Sequence, residues 1–143
     1  MFISHLKIAL LILAIVLFQN INVLAQNGVP VELVDNCRDS LGKKLFNEIK
    51  DRVSKSSAMR TAKTSDQKIL QIIIGTLDPM SDIPQYSGKI TVASVIWVGQ
   101  VKEGTELLPY YMTYTMAAAG IQNIKKTADA IIEQTEKLTG RKK

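Results

Sequence analysis

The chain reads as an α+β protein: a two-layer fold in which an antiparallel meander of three to four strands is flanked by an N-terminal and a C-terminal helix. Three observations predict it. Apolar residues recur every three to four positions over 39–54 and again over 121–139, the period of a one-sided helix. Between those segments the period falls to two, and β-branched residues dominate 69–76 and 89–98. The connections between these strands are short, and short connections join antiparallel neighbours.

The first helix opens near Asn36 or Asp39, whose side chains suit an N-cap. Leu41, Leu45, Ile49 and Val53, with Phe46 beside them, make its apolar face, and Lys43, Lys44, Lys50, Asp51 and Arg52 take the other. Gly42 costs a helix about 1 kcal/mol relative to alanine, which predicts a close approach of the helix backbone to a sheet. Residues 26–37, with Gly28 and Pro30, read as a flexible lead-in or a short strand centred on Val31–Val34. Met59–Ala62 reads as a further short strand and Lys63–Gln67 as a turn.

Residues 69–76 are apolar on both alternating faces, which predicts a central strand. Pro79, Pro84, Asp78 and Asp82 make 77–84 a loop. In the next strand Ile90, Val92, Ile96 and Val98 share one face, interrupted by Ser94, and Thr91, Ala93, Val95 and Trp97 share the other. Gly104 marks a hairpin turn into a strand at 108–116, where Tyr110, Met112, Tyr114 and Met116 lie opposite Tyr111, Thr113 and Thr115. Small residues at 117–120 form a junction to the last helix, whose inner stripe is Ile121, Ile124, Ala128, Ile131, Thr135 and Leu138. Gly140 caps that helix. The organisation is then a single domain over 38–139, with a basic tail at 140–143.

Ahead of the domain, Lys7 precedes the unbroken apolar run Ile8–Phe18, and Val23-Leu24-Ala25 supplies small or modest side chains at a cleavage site. This is the charged, apolar and small-residue order of a secretory signal peptide over 1–25. The apolar run is well short of the ~20 residues of a spanning helix, so no stable membrane span is expected after cleavage. Gln26, not cysteine, follows the cleavage site, which speaks against a lipid anchor. The chain is expected outside the inner membrane, in the periplasm or beyond.

With 46% hydrophobic and 22% charged residues, the composition is that of a folded globular chain. The net charge of +5 includes Lys7 in the signal segment and Arg141, Lys142 and Lys143 at the end, so the body is near neutral and no nucleic-acid partner is expected. The single histidine, His5, lies in the signal segment. Its loss on cleavage removes histidine-activated nucleophiles, histidine zinc sites and the commonest general base. One cysteine builds neither a thiolate metal cage nor a disulfide within the chain. No catalytic residue, cofactor site or metal site is assigned.

Several residues carry two readings. Asp78 and Asp82 offer oxygen ligands or a carboxylate pair for a small secreted hydrolase, but in a proline-bearing loop they read first as turn caps. Asp35 and Asp39 read first as helix-start residues. Cys37 is either a reactive thiol or a small buried residue at the helix start, and burial is the preferred reading. Both faces of the strands are apolar, while two helices cover only one, which leaves a face for an envelope protein or a second copy of the chain. The Ile90, Val92, Ile96 and Val98 face has the larger aliphatic area and is assigned to the helices. Trp97, Val95 and Tyr111 are then the expected partner face.

The segments Asp39-Ser-Leu-Gly-Lys-Lys-Leu-Phe, Ser56-Ser-Ala-Met-Arg and Ile72-Ile-Ile-Gly-Thr-Leu-Asp-Pro resemble small exported bacterial proteins of uncharacterised function. More loosely, a helix followed by a serine, apolar, basic strand resembles the N-terminal α/β domains of periplasmic proteins such as TolB and of the outer-membrane lipoprotein activators of peptidoglycan synthases. The resemblance spans 38–139 and implies an exported, non-catalytic binding or accessory protein of the cell envelope. It brings no functional residue, and the lipid-anchoring cysteine of those activators is missing here.

Overall fold

The computed structural model describes residues 28–140. In chain order the elements are strand β1 (Val29–Cys37), helix α1 (Ser40–Lys55), strands β2 (Met59–Thr61), β3 (Lys68–Leu77), β4 (Ile90–Glu103) and β5 (Glu106–Gly120), and helix α2 (Ile124–Leu138). The strands form one mixed sheet in the order β2-β1-β3-β4-β5. β1 runs parallel to both β2 and β3, whereas the β3–β4 and β4–β5 pairs are antiparallel. The fold is α+β, with both helices on one face of a five-stranded sheet.

The antiparallel half and the two helices agree with the sequence expectation; β1 does not. Residues 29–37 form a full strand inside the sheet, so the sheet starts ahead of position 38 and is mixed instead of an antiparallel meander. Only Val31 and Cys37 of this strand are buried, and Glu32, Asp35 and Asn36 are exposed. Polar residues and Pro30 dilute its alternation, while its backbone bonds to β3 along seven residue pairs hold it in place. The expected signal segment 1–25 and the charged tail residues 141–143 lie outside the described residues.

α1 begins where Asp39 accepts the Gly42 N–H at 2.7 Å, the side-chain cap its sequence suggests. The same carboxylate accepts the Thr76 hydroxyl at 2.7 Å and the Thr91 hydroxyl at 2.9 Å, fastening the start of α1 to β3 and β4. This brings α1 so close to the sheet that a Cβ on Gly42 would collide with the Thr76 hydroxyl. The backbone approach expected from Gly42 is therefore present, and its target is Thr76 on β3. α2 starts later than expected: Ala117–Gly120 continues β5 as ladder partners of Ile90–Ala93, and Ile121 is exposed instead of inward. Gly140 follows α2 with a φ of +75°, a conformation that glycine adopts without steric cost.

The core lies between the helices and one sheet face. Leu41, Leu45, Ile49 and Val53 of α1 and Ile124, Ala128 and Ile131 of α2 meet Leu70, Ile72 and Ile74 of β3 and Ala93, Val95 and Trp97 of β4. The expected partner face is thus corrected: Trp97 and Val95 are fully buried beneath the helices. Comparing aliphatic area alone gave the wrong face for two physical reasons. Trp97 is the largest buried side chain, and its indole N–H finds a buried acceptor in Thr135 on α2. The threonines that make this face look polar, Thr76 and Thr91, spend their hydroxyls on Asp39.

Candidate functional site

The other sheet face carries the Ile96 and Val98 side chains that the sequence had assigned to the helices. Paired residues of neighbouring strands share a face, so the register writes the rows directly. Val34, Ile73, Ile96 and Tyr114 form one row across four strands. Glu32, Gln71, Val98 and Tyr111 form the row beside it, and Asn36, Gly75, Ser94 and Met116 the row on the opposite side. Neither helix covers these rows. Tyr111, Tyr114 and Met116 expose 63%, 62% and 67% of their surface, which makes β5 the most open part of the face.

A bulge decides which tyrosines share it. Register shifts between Trp97 and Val98, where Met112 is the extra residue of β5, so Tyr111 pairs with Val98 while Tyr114 pairs with Ile96. Simple alternation separates Tyr111 from Tyr114; the bulge unites them. Of the three expected partner-face residues, Tyr111 is outward, but Trp97 and Val95 lie on the opposite face. Tyr110 falls on the helix side, where its ring occupies the space that a Cβ on Gly99 would need.

The remaining candidates are accounted for by local structure. Asp78 accepts the Met80 N–H at 2.8 Å and the Gly88 N–H at 2.6 Å, which ties the two ends of its loop together. Asp82 has only a long contact with the neighbouring Ser81 hydroxyl, and the two carboxylates do not share a partner. Asp35 pairs with Lys43 at 2.8 Å and is held below the usual carboxylate range by that hydrogen bond and by the Cys37 N–H. Burial raises Asp39, but hydrogen bonds from Thr76, Gly42, Thr91 and Leu41 outweigh it, and the net shift is downward. Cys37 is buried against the Ile74 carbonyl, and burial pushes its thiol up to about 11. Among the described residues no cluster of three histidine, cysteine or acidic side chains is placed to hold a metal ion.

A second surface feature lies at the edge of the sheet. A cleft of about 670 Å³ wraps the free edge of β1 beyond the end of β2. Leu33, Phe46, Lys50 and Val53 line it on the helix side; Lys63, Ile69, Lys102 and Leu107 line the other. Sequence reasoning missed it because it arises from the crossover between β2 and β3, which no local pattern announces.

No protein-family model matches the chain, and no curated protein sequence matches it. Among solved structures, it is similar to a hypothetical protein of Chlamydia trachomatis, at 10% identity and a TM-score of 0.37, over 67% of this chain and 76% of that one. It is also similar to the rare lipoprotein B of Shewanella oneidensis, at 12% identity and a TM-score of 0.33, over 79% of this chain and 96% of that one. Overlaps at this level assign neither a family nor an activity.

Proposed function

We propose that this is a non-catalytic exported binding or accessory protein of the bacterial cell envelope, acting through the open apolar face of its sheet on another protein. The observation that carries the reading is the row Val34, Ile73, Ile96 and Tyr114, flanked by Val98, Tyr111 and Met116, which neither α1 nor α2 covers. Burying one large apolar side chain is worth roughly 1.5–3 kcal/mol, so a contiguous uncovered set favours association. The aromatic rings at its open end are the side chains that most often anchor an interface. The export pattern of residues 1–25 supports the location, and no helix among the described residues is long and apolar enough to cross a membrane. No observation favours a carboxylate hydrolase, because Asp78 holds its loop and does not converge with Asp82.

The experiment is a Tyr114→Lys, Met116→Lys double variant expressed in the native host. Both side chains are mostly exposed, so the unfolding temperature should stay close to that of the parent. Association with envelope material should fall. Unchanged association in the folded variant would remove the open face from the reading.

A further inference from the structure

We propose that the cleft beside the free edge of β1 takes an extended acidic–apolar peptide segment of a partner protein, which adds to the sheet as a strand. This cleft adjoins the open face at Glu32 and Ile69, but the inference rests on the β1 edge and does not depend on the open-face reading.

The backbone carries the first half of the inference. Val29 N–H donates to the Ala58 carbonyl at 2.8 Å, and the Val31 carbonyl accepts the Ala62 N–H at 2.9 Å, so the odd-numbered residues of β1 turn their polar groups toward β2. The pairing with β2 stops at Val31 and Thr61. Leu33 and Asp35 follow with the same orientation, and no strand among the described residues pairs with them on that side. After Ala62 the chain leaves this edge: Thr64 offers its carbonyl to Lys102, on β4, at 3.4 Å. The result is a slot with unpaired strand donors and acceptors along its floor.

The walls carry the second half. A cleft of about 670 Å³ is within the ordinary range of binding sites. An added strand points alternate side chains to opposite sides. One set would meet Phe46 and Val53 on α1, which suit apolar residues; the other would meet Lys63 and Lys102, which suit carboxylates. The carboxylates of the cleft are already engaged. Glu32 accepts from Gln71 at 2.9 Å, and Asp66 is held by Arg60 and by the Lys63 N–H. Lys50 on the rim, Lys63 and Lys102 outnumber the two carboxylates, and Asp66 is neutralised by Arg60, so the slot carries an excess of positive charge. Charge and strand parity together specify a segment that alternates acidic and apolar residues.

The test is amide NMR with hydrogen exchange on the exported chain, titrated with a blocked hexapeptide alternating glutamate and leucine. Parallel titrations use a lysine–leucine peptide of the same length and decanoate. The expected result is saturable perturbation and slowed exchange at the Leu33 and Asp35 amides with the acidic peptide alone. A Lys63→Glu, Lys102→Glu variant should weaken that binding by about tenfold or more. If that variant fails to fold, the lysine–leucine peptide on the parent protein provides the same charge comparison. Unchanged Leu33 and Asp35 amides, equal binding of both peptides, or occupation of the cleft by decanoate alone would overturn the proposal. The Tyr114→Lys, Met116→Lys variant should still bind the acidic peptide, so failure here and failure of the open-face reading are distinguishable.

Discussion

The indole N–H of Trp97 donates to the Thr135 hydroxyl at 2.9 Å, and Thr135 in turn donates to the Ile131 carbonyl at 2.8 Å. This buried relay fastens the middle of β4 to α2 on the covered face of the sheet.

Trp97 is the chain's single tryptophan, so its fluorescence reports this contact without interference. Emission should be blue-shifted and insensitive to iodide in the folded protein. Trp97→Ala should cost about 3–5 kcal/mol of stability through cavity formation. Thr135→Val, which leaves the indole N–H without an acceptor, should cost about 1–3 kcal/mol. Chemical denaturation measures both, and a Trp97→Ala protein of parental stability would contradict the packing.

Asp39 should make the fold sensitive to acid. Its folded-state pKa is lowered, so its contribution is fully present above the unfolded carboxylate value near 4 and is lost as pH falls through the folded value. Unfolding midpoints measured from pH 6 down to pH 2 should therefore decline. Asp39→Asn should flatten the part of that decline that Asp39 causes, while losing stability at pH 7. Asp39→Ala should lose more than the ~1 kcal/mol typical of a cap, because the Thr76 and Thr91 hydroxyls lose their acceptor as well. A pH profile identical in parent and Asp39→Asn would contradict the role given to this carboxylate.

Cys37 should resist alkylation. With its thiol buried and its pKa pushed up to about 11, almost no thiolate forms at pH 8. Iodoacetamide should label it slowly in the native protein and rapidly in denaturant, as followed by intact mass. Equal rates in the two states would show that the thiol is accessible.

Cleavage after Ala25 is the expectation from the Val23-Leu24-Ala25 site and the apolar run before it. Protein recovered from its native host should begin at Gln26 by intact mass. Recovery with Met1 retained would contradict export by cleavage.

Helix α1, the antiparallel β3–β4–β5 portion and the inner stripe of α2 from Ile124 onward were legible because each obeys one period over a long segment. The need for close approach at Gly42 was legible too, although its partner Thr76 was not. The rest depends on relationships that distant residues make. β1 is a partly polar strand whose place is set by β3, and the shared face of Tyr111 and Tyr114 depends on a bulge at Met112. The covered face was not legible because Trp97 finds its buried acceptor in Thr135 on a distant helix and Thr76 and Thr91 spend their hydroxyls on Asp39. Aliphatic area counted along one strand contains none of these. The outward face was therefore expected at Trp97, Val95 and Tyr111, of which only Tyr111 is outward, beside Ile96 and Tyr114.

Site-specific photocrosslinking in the native host tests most directly whether that open face meets a protein partner. A photoreactive residue replaces Tyr114 on the open face, and in a second strain it replaces Lys126 on α2, where the exposed surface serves as a control. The expected result is a discrete covalent adduct from position 114 that is absent from position 126 and disappears when Ile96→Glu places a charge in the same row. No adduct from position 114, or the same adduct from both positions, would contradict the open sheet face as the functional surface.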